Sequence, residues 1–143
     1  MLAYKALKEI LDRTIGWERE LADLLEVAGF GLENKKSRDV VEALIRHQSD
    51  ILEVLIGIDL DAFGPAEWIQ FFGDLKREEL IPKRKIHRDT PPEEIVSYIM
   101  EYEEALRDFY GRVADRVSME SQKDLFTSLV TLKNAQIERI SSL

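Results

Sequence analysis

The stretch TPPEEIVSYIMEYEEALRDFYGRVADRV, residues 90–117, decides the fold. Helical periodicity runs through it. It opens with Thr90, a proline at the first helical position, and Glu93 three residues on, a pattern that predicts a capping box with proline at N1. Helical spacing then continues from about Met119 to Ile140. Upstream, a second periodic segment runs from Ser37 to Ile56 on the stripe Val40/Val41, Leu44, Ile51, Leu52 and Leu55, with Ser37 as N-cap and Gly57 as stop. A first segment runs from about Leu2 to Ala28 and ends at Gly29 and Gly31. Four long helices follow from this reading.

The links differ in length. Those after the first and third helices are short, whereas the 34 residues from 57 to 90 separate the second from the third. That is long for a bundle loop. It fits a crossover along the bundle's full length, which places helices two and three parallel. Within the crossover, Pro65 is expected to open a short aromatic helix, Pro82 gives a second break, and a basic stretch follows. No stretch alternates cleanly as a strand. The expected fold is therefore an all-α four-helix bundle in one domain, residues 1–143, with a long crossover carrying a short helix.

Composition narrows the function. With 45% hydrophobic and 34% charged residues, the chain reads as globular rather than disordered. A net charge of −8 argues against nucleic acid or an anionic membrane as general partner. The absence of cysteine removes disulfides, thiolate catalysis and cysteine metal sites, and His47 and His87 are too few for a multi-histidine centre. The N-terminal stretch MLAYKALKEILDRTIGWERE carries charges every few residues and reads neither as signal peptide nor as membrane span, so a cytoplasmic protein is expected. No glycine-rich phosphate loop or nucleophile triad is present.

The fourth helix carries an anomaly. Its stripe of Phe126, Leu129/Val130, Ile137 and Ile140 is filled in the middle by Lys133 and Gln136. The halves of the chain also echo one another. WERELAD at 17–23 matches FYGRVAD at 109–115, and LIRHQSDILEVL at 44–55 matches LVTLKNAQIERI at 129–140, at offsets of 92 and 85. This suggests a duplicated helical hairpin.

On these features the chain resembles the rubrerythrin-like branch of the ferritin-like superfamily over nearly its whole length. Helix three of that family carries a glutamate, an aromatic pair six and seven residues on, and an aliphatic–alanine pair. Here EEALRDFYGRVA places Glu103, Phe109, Tyr110, Val113 and Ala114 at those positions. The resemblance implies two irons held by single glutamates on helices one and three and a Glu-x-x-His on each of helices two and four. Carried over position by position, these ligands fall on Leu11, on Gln48 and Ile51, on Glu103, and on Lys133 and Gln136. One ligand of six survives. The resemblance thus implies a vestigial di-iron centre with no cofactor, in which Lys133 is expected to pair with Glu103 in place of the metals. A binding, interaction or structural module follows, with a homodimer as the expected assembly and its protein partner unnamed.

A rival reading keeps a metal, with iron as cofactor, in an oxidoreductase that uses displaced ligands: Glu18, His47, Asp50 and Glu103. Two further features are open. The basic run KREELIPKRKIHR, residues 76–88, sets six basic residues against Glu78 and Glu79, and its Lys83, Arg84, Lys85 and Arg88 form a candidate anion or partner patch. The same run could dock on the acidic bundle itself. The crossover aromatics Phe63, Trp68, Phe71 and Phe72 either cover the bundle's open side or form the dimer interface.

Overall fold

The computed structural model describes residues 2–63, 68–72 and 85–143, with the backbone alone for 2–6 and 68–72. Its elements are β1 (Leu2–Ala6), α1 (Leu7–Gly31), α2 (Lys35–Ile56), a 3₁₀ turn (Leu60–Phe63), β2 (Trp68–Phe72), α3 (Pro92–Arg116) and α4 (Glu120–Ser141). The bulk of the chain is an all-α bundle of four helices. α1 packs mainly on α2, and α3 mainly on α4, giving two helical hairpins.

Helix direction follows from two hydrogen bonds. At the start of α2, the Ser37 hydroxyl donates to the carbonyl of Thr90, just before α3, at 2.8 Å. At the other end, Ser121 in the first turn of α4 donates to the Phe63 carbonyl, beyond the end of α2, at 2.7 Å. α2 and α3 therefore begin together and run parallel, while α1 runs antiparallel to both. The end of α2 and the start of α3 thus lie at opposite ends of the bundle.

The core is built from the apolar stripes. Leu7, Ile10, Leu11, Leu21 and Leu25 face inward from α1, and Val41, Leu44, Ile51 and Leu55 from α2. α3 contributes Ile95, Ile99, Leu106, Phe109 and Val113, and α4 Leu125, Phe126, Leu129 and Ile140. Burying each such large side chain contributes roughly 1.5–3 kcal/mol. Trp17 of α1 meets Phe109 of α3 edge-on, with ring centroids 5.4 Å apart at 78°.

Several sequence expectations change. The first helix begins at Leu7, not Leu2, because Leu2–Ala6 forms a strand antiparallel to Trp68–Phe72, with Leu2 opposite Phe72 and Ala6 opposite Trp68. The expected aromatic helix after Pro65 is thus replaced, over its aromatic part, by β2. Aromatic residues favour strands, and the pairing joins residues 62 (Ala6 and Trp68) to 70 (Leu2 and Phe72) positions apart. Local periodicity cannot register such a partner. Residues 64–67 lie outside the described residues.

The caps shift as well. Asn34, not Ser37, caps α2, its side chain accepting from the Lys36 amide at 2.8 Å. The capping box at Thr90 does not form. Pro91 is the N-cap of α3 with no side-chain cap bond, and the Thr90 hydroxyl turns back to accept from the His87 amide at 2.7 Å. Both Ser37 and Thr90 are buried, so tertiary contacts take the groups that local capping would use. Among the described residues, no helix is long and apolar enough to cross a membrane.

Candidate functional site: a buried lysine between two glutamates

Each helix contributes polar residues to the middle of the core. Thr14 and Glu18 come from α1, Gln48 from α2, Glu103 from α3, and Lys133 and Gln136 from α4, all buried. They lie on the inward stripes at helical spacing, so their burial follows from position rather than residue type.

Lys133 organises the cluster. Its ammonium donates to Glu18 Oε1, to Glu103 Oε2 at 2.6 Å and to Gln136 Oε1 at 3.1 Å. An ammonium has three protons to donate, and three acceptors meet them. Gln48 Nε2 donates to the Glu18 carbonyl at 2.8 Å and to Glu18 Oε2. Gln136 Nε2 approaches Glu103 Oε1 at 3.5 Å. The Thr14 hydroxyl donates to the Leu11 carbonyl at 2.7 Å. The hydroxyls of Tyr102 and Tyr110, both buried on α3, have no hydrogen-bond partner in the protein.

The electrostatics follow from burial and from two carboxylates sharing one ammonium. Burial pushes the Glu103 carboxyl up to about 7; Lys133 pulls against this, and the like charge of Glu18 adds to it. Burial alone would lower the Lys133 amine, but Glu18 and Glu103 together outweigh it and hold the amine above its usual range, as an ammonium. Burial, and then Glu18, keep the Tyr102 and Tyr110 phenols protonated well beyond their usual range.

The sequence positions sort as follows. Gln48, Glu103, Lys133 and Gln136 come together in the cluster. Leu11 does not, because it is an ordinary core residue and Glu18 supplies the carboxylate of α1. Matching the aromatic positions Trp17 and Phe109 placed Leu11 opposite Glu103. In antiparallel helices, however, the sixth residue before the contact on each helix lies on opposite sides of it, so Leu11 and Glu103 are separated by about 18 Å along the axis. Ile51 is buried without a polar role.

The rival metal set is divided. Glu18 and Glu103 face Lys133, whereas His47 and Asp50 border a small cavity of about 40 Å³ between α2 and α4, with Ile51, Gln136 and Arg139. His47 and Asp50 flank Gln48 at about 100° per residue, which turns both away from the core. Among the described residues, no three His, Asp or Glu side chains gather where they could hold a metal ion.

Of the basic patch, Lys83 and Arg84 lie outside the described residues. Lys85 is exposed, and exposed Arg88 reaches Glu33 of its own bundle at 3.5 Å. Phe63 is half-buried against the core, while the side chains of Trp68, Phe71 and Phe72 are not described. The decisive residue that homologous matching passed over is Glu18, whose signal is its place on the stripe Leu11–Thr14–Glu18–Leu21–Leu25. Compared with family models, curated proteins and solved structures, the chain matches none of them.

Proposed function

We propose that this chain is a cytoplasmic ferritin-like module of the rubrerythrin-like kind, in which the ammonium of Lys133 stands in place of a di-iron centre. It acts by binding or scaffolding rather than by catalysis. The observation that carries this reading is the placement of Lys133 Nζ against both Glu18 and Glu103 in a core with the three side chains at 1%, 0% and 0% exposure. The four-helix order and the crossover between parallel α2 and α3 support the same reading.

The residues do not fit a di-iron group. Such a centre uses four carboxylates and two imidazoles. The cluster offers two carboxylates, two carboxamides and an ammonium, whose positive charge repels a metal cation. The test is elemental analysis after anaerobic Fe(II) loading and desalting. We expect iron far below one per chain and no absorbance change on adding oxygen. One or two irons per chain would overturn the proposal.

We infer a homodimer as the assembly, since two-fold dimers are the commonest closed form. Val27 and Phe30, 72% and 92% exposed near the end of α1, leave apolar surface open for a partner.

A further inference from the structure

The two helical hairpins are joined by hydrogen bonds at both ends and by an ion pair in the middle. At one end the Ser37–Thr90 bond and the Glu33 amide, donating to the Arg88 carbonyl at 2.9 Å, pin the start of α2 to the start of α3. At the other, Ser121 and Gln122 of α4 donate to the Phe63 carbonyl beyond α2, at 2.7 and 3.4 Å. In the middle of the core, Gln48–Glu18 lies within the first hairpin, and Lys133–Glu103 and Gln136–Glu103 lie within the second. Among the described residues of the cluster, Lys133–Glu18 is the ion pair that crosses between them. Around it the contacts are apolar, as in Trp17 against Phe109.

That crossing bond has a competitor. Glu103 holds the same ammonium from inside the second hairpin. Two buried carboxylates against one ammonium leave the cluster one positive charge short when both are ionised. Little solvent is present to screen their repulsion. One proton closes the deficit.

We propose that Glu103 is a proton-operated release between the hairpins. With its carboxyl protonated, the ammonium is given to Glu18 and the hairpins are clasped. With it ionised, Glu103 draws Lys133 back and faces Glu18 with like charge, so α1 eases away from α4 at mid-core, between the two pinned ends of α2.

The surroundings permit this. From α1 the cluster is faced by Thr14 and Glu18, with Glu20 acting at longer range on Tyr102. From α2 it is faced by Gln48; from α3 by Tyr102, Glu103 and Tyr110; and from α4 by Lys133 and Gln136. Tyr102 and Tyr110 stay protonated, so their unused hydroxyls are donors available to a carboxylate that moves. The cavity beside Gln136 is large enough for water. It is bordered by His47, Asp50 and Arg139 and offers a route by which protons reach the cluster.

The absence of cysteine allows a direct measurement. Cysteines introduced at exposed Arg19 of α1 and Glu138 of α4 would carry spin labels, and pulsed electron resonance would read their separation against pH. We expect a longer-distance population to grow as pH passes about 7, by up to about tenfold per pH unit, and to reverse on reacidification. Glu103→Gln should remain at the short distance throughout. A separation independent of pH in the otherwise unsubstituted chain would overturn the proposal, as would an unchanged pH response in Glu103→Gln. Should that variant not fold, the carboxyl ¹³C titration of Glu103 in the native chain decides. A midpoint in the ordinary carboxylate range would overturn the release, and one near neutrality would support it.

Discussion

Replacing Lys133 by methionine keeps an unbranched side chain one atom shorter and removes the ammonium that Glu18 and Glu103 share. Breaking a buried ion pair in this way costs on the order of 3–5 kcal/mol, because a buried charge is left uncompensated. Lys133→Met is therefore expected to be strongly destabilising, with only part of the loss recovered when Glu103→Gln is added, because Glu18 stays buried without its ammonium. Denaturant unfolding of the four proteins of that cycle measures it, and additive effects would show that the two side chains do not interact. Glu103 also ties stability to pH. Its carboxyl is raised from 4.5 to about 7. Below pH 4.5 both the folded and unfolded states are protonated and nothing is lost. Between the two values the unfolded chain ionises first, so stability falls as pH rises, by up to about 1.4 kcal/mol per pH unit. Above about 7 the full loss persists. Unfolding at a series of pH values should show this fall, and Glu103→Gln should flatten it. Lys133, raised in the folded state, contributes stability that is lost only under strongly alkaline conditions. The inward place of Lys133 and Gln136 was legible in the sequence, as polar residues at apolar stripe positions. Glu18 was harder to see. Homologous matching assigns one carboxylate position per helix, but which carboxylates meet depends on how antiparallel helices lie side by side.

At the scale of elements, the ends of α2 and α3 make a separable prediction. Asn34 caps α2 locally, whereas Ser37 spans to the Thr90 carbonyl. Asn34→Ala is expected to cost about 1 kcal/mol through the lost cap. Ser37→Ala should cost roughly 1–3 kcal/mol by leaving a buried carbonyl short of a partner. Amide hydrogen exchange should separate them, with loosening confined to the first turn of α2 for Asn34→Ala and extending into the first turn of α3 for Ser37→Ala. Three of the four helix starts were legible to within two residues, because amphipathic periodicity is local. The β1–β2 pairing was not, since a strand's partner can lie anywhere in the chain and WIQFF reads equally as a buried helical turn. The Thr90 capping box failed for a related reason. Its hydroxyl had a choice between the helix start and the turn at 87–90, and the tertiary position of the turn decided it.

Across the whole molecule, the exposed apolar end of α1 bears on assembly. Phe30→Ser removes a side chain that contributes almost nothing to the core, so folding stability should change by less than about 0.5 kcal/mol. If a homodimer forms through this end, the same substitution should shift sedimentation toward the monomer. Dimerisation that survives it unchanged would place the interface elsewhere. The overall architecture was legible from helix count and link lengths alone. Its interior chemistry was legible only in part, because a bundle's apolar stripes fix which residues are inside without fixing which of them touch.

The three-way junction of Glu18, Glu103 and Lys133 also constrains how this sequence can drift over generations. Losing Lys133 strands two carboxylates in the core, and losing both glutamates strands the ammonium. The apolar residues around them tolerate volume-conserving exchanges one at a time. Among descendants of this chain, positions 18, 103 and 133 are therefore expected to change as a set, with charge lost from acid and base together, while Leu11 or Ile51 vary independently. Such correlated substitution would record in ancestry the same contact that the folded chain makes in space.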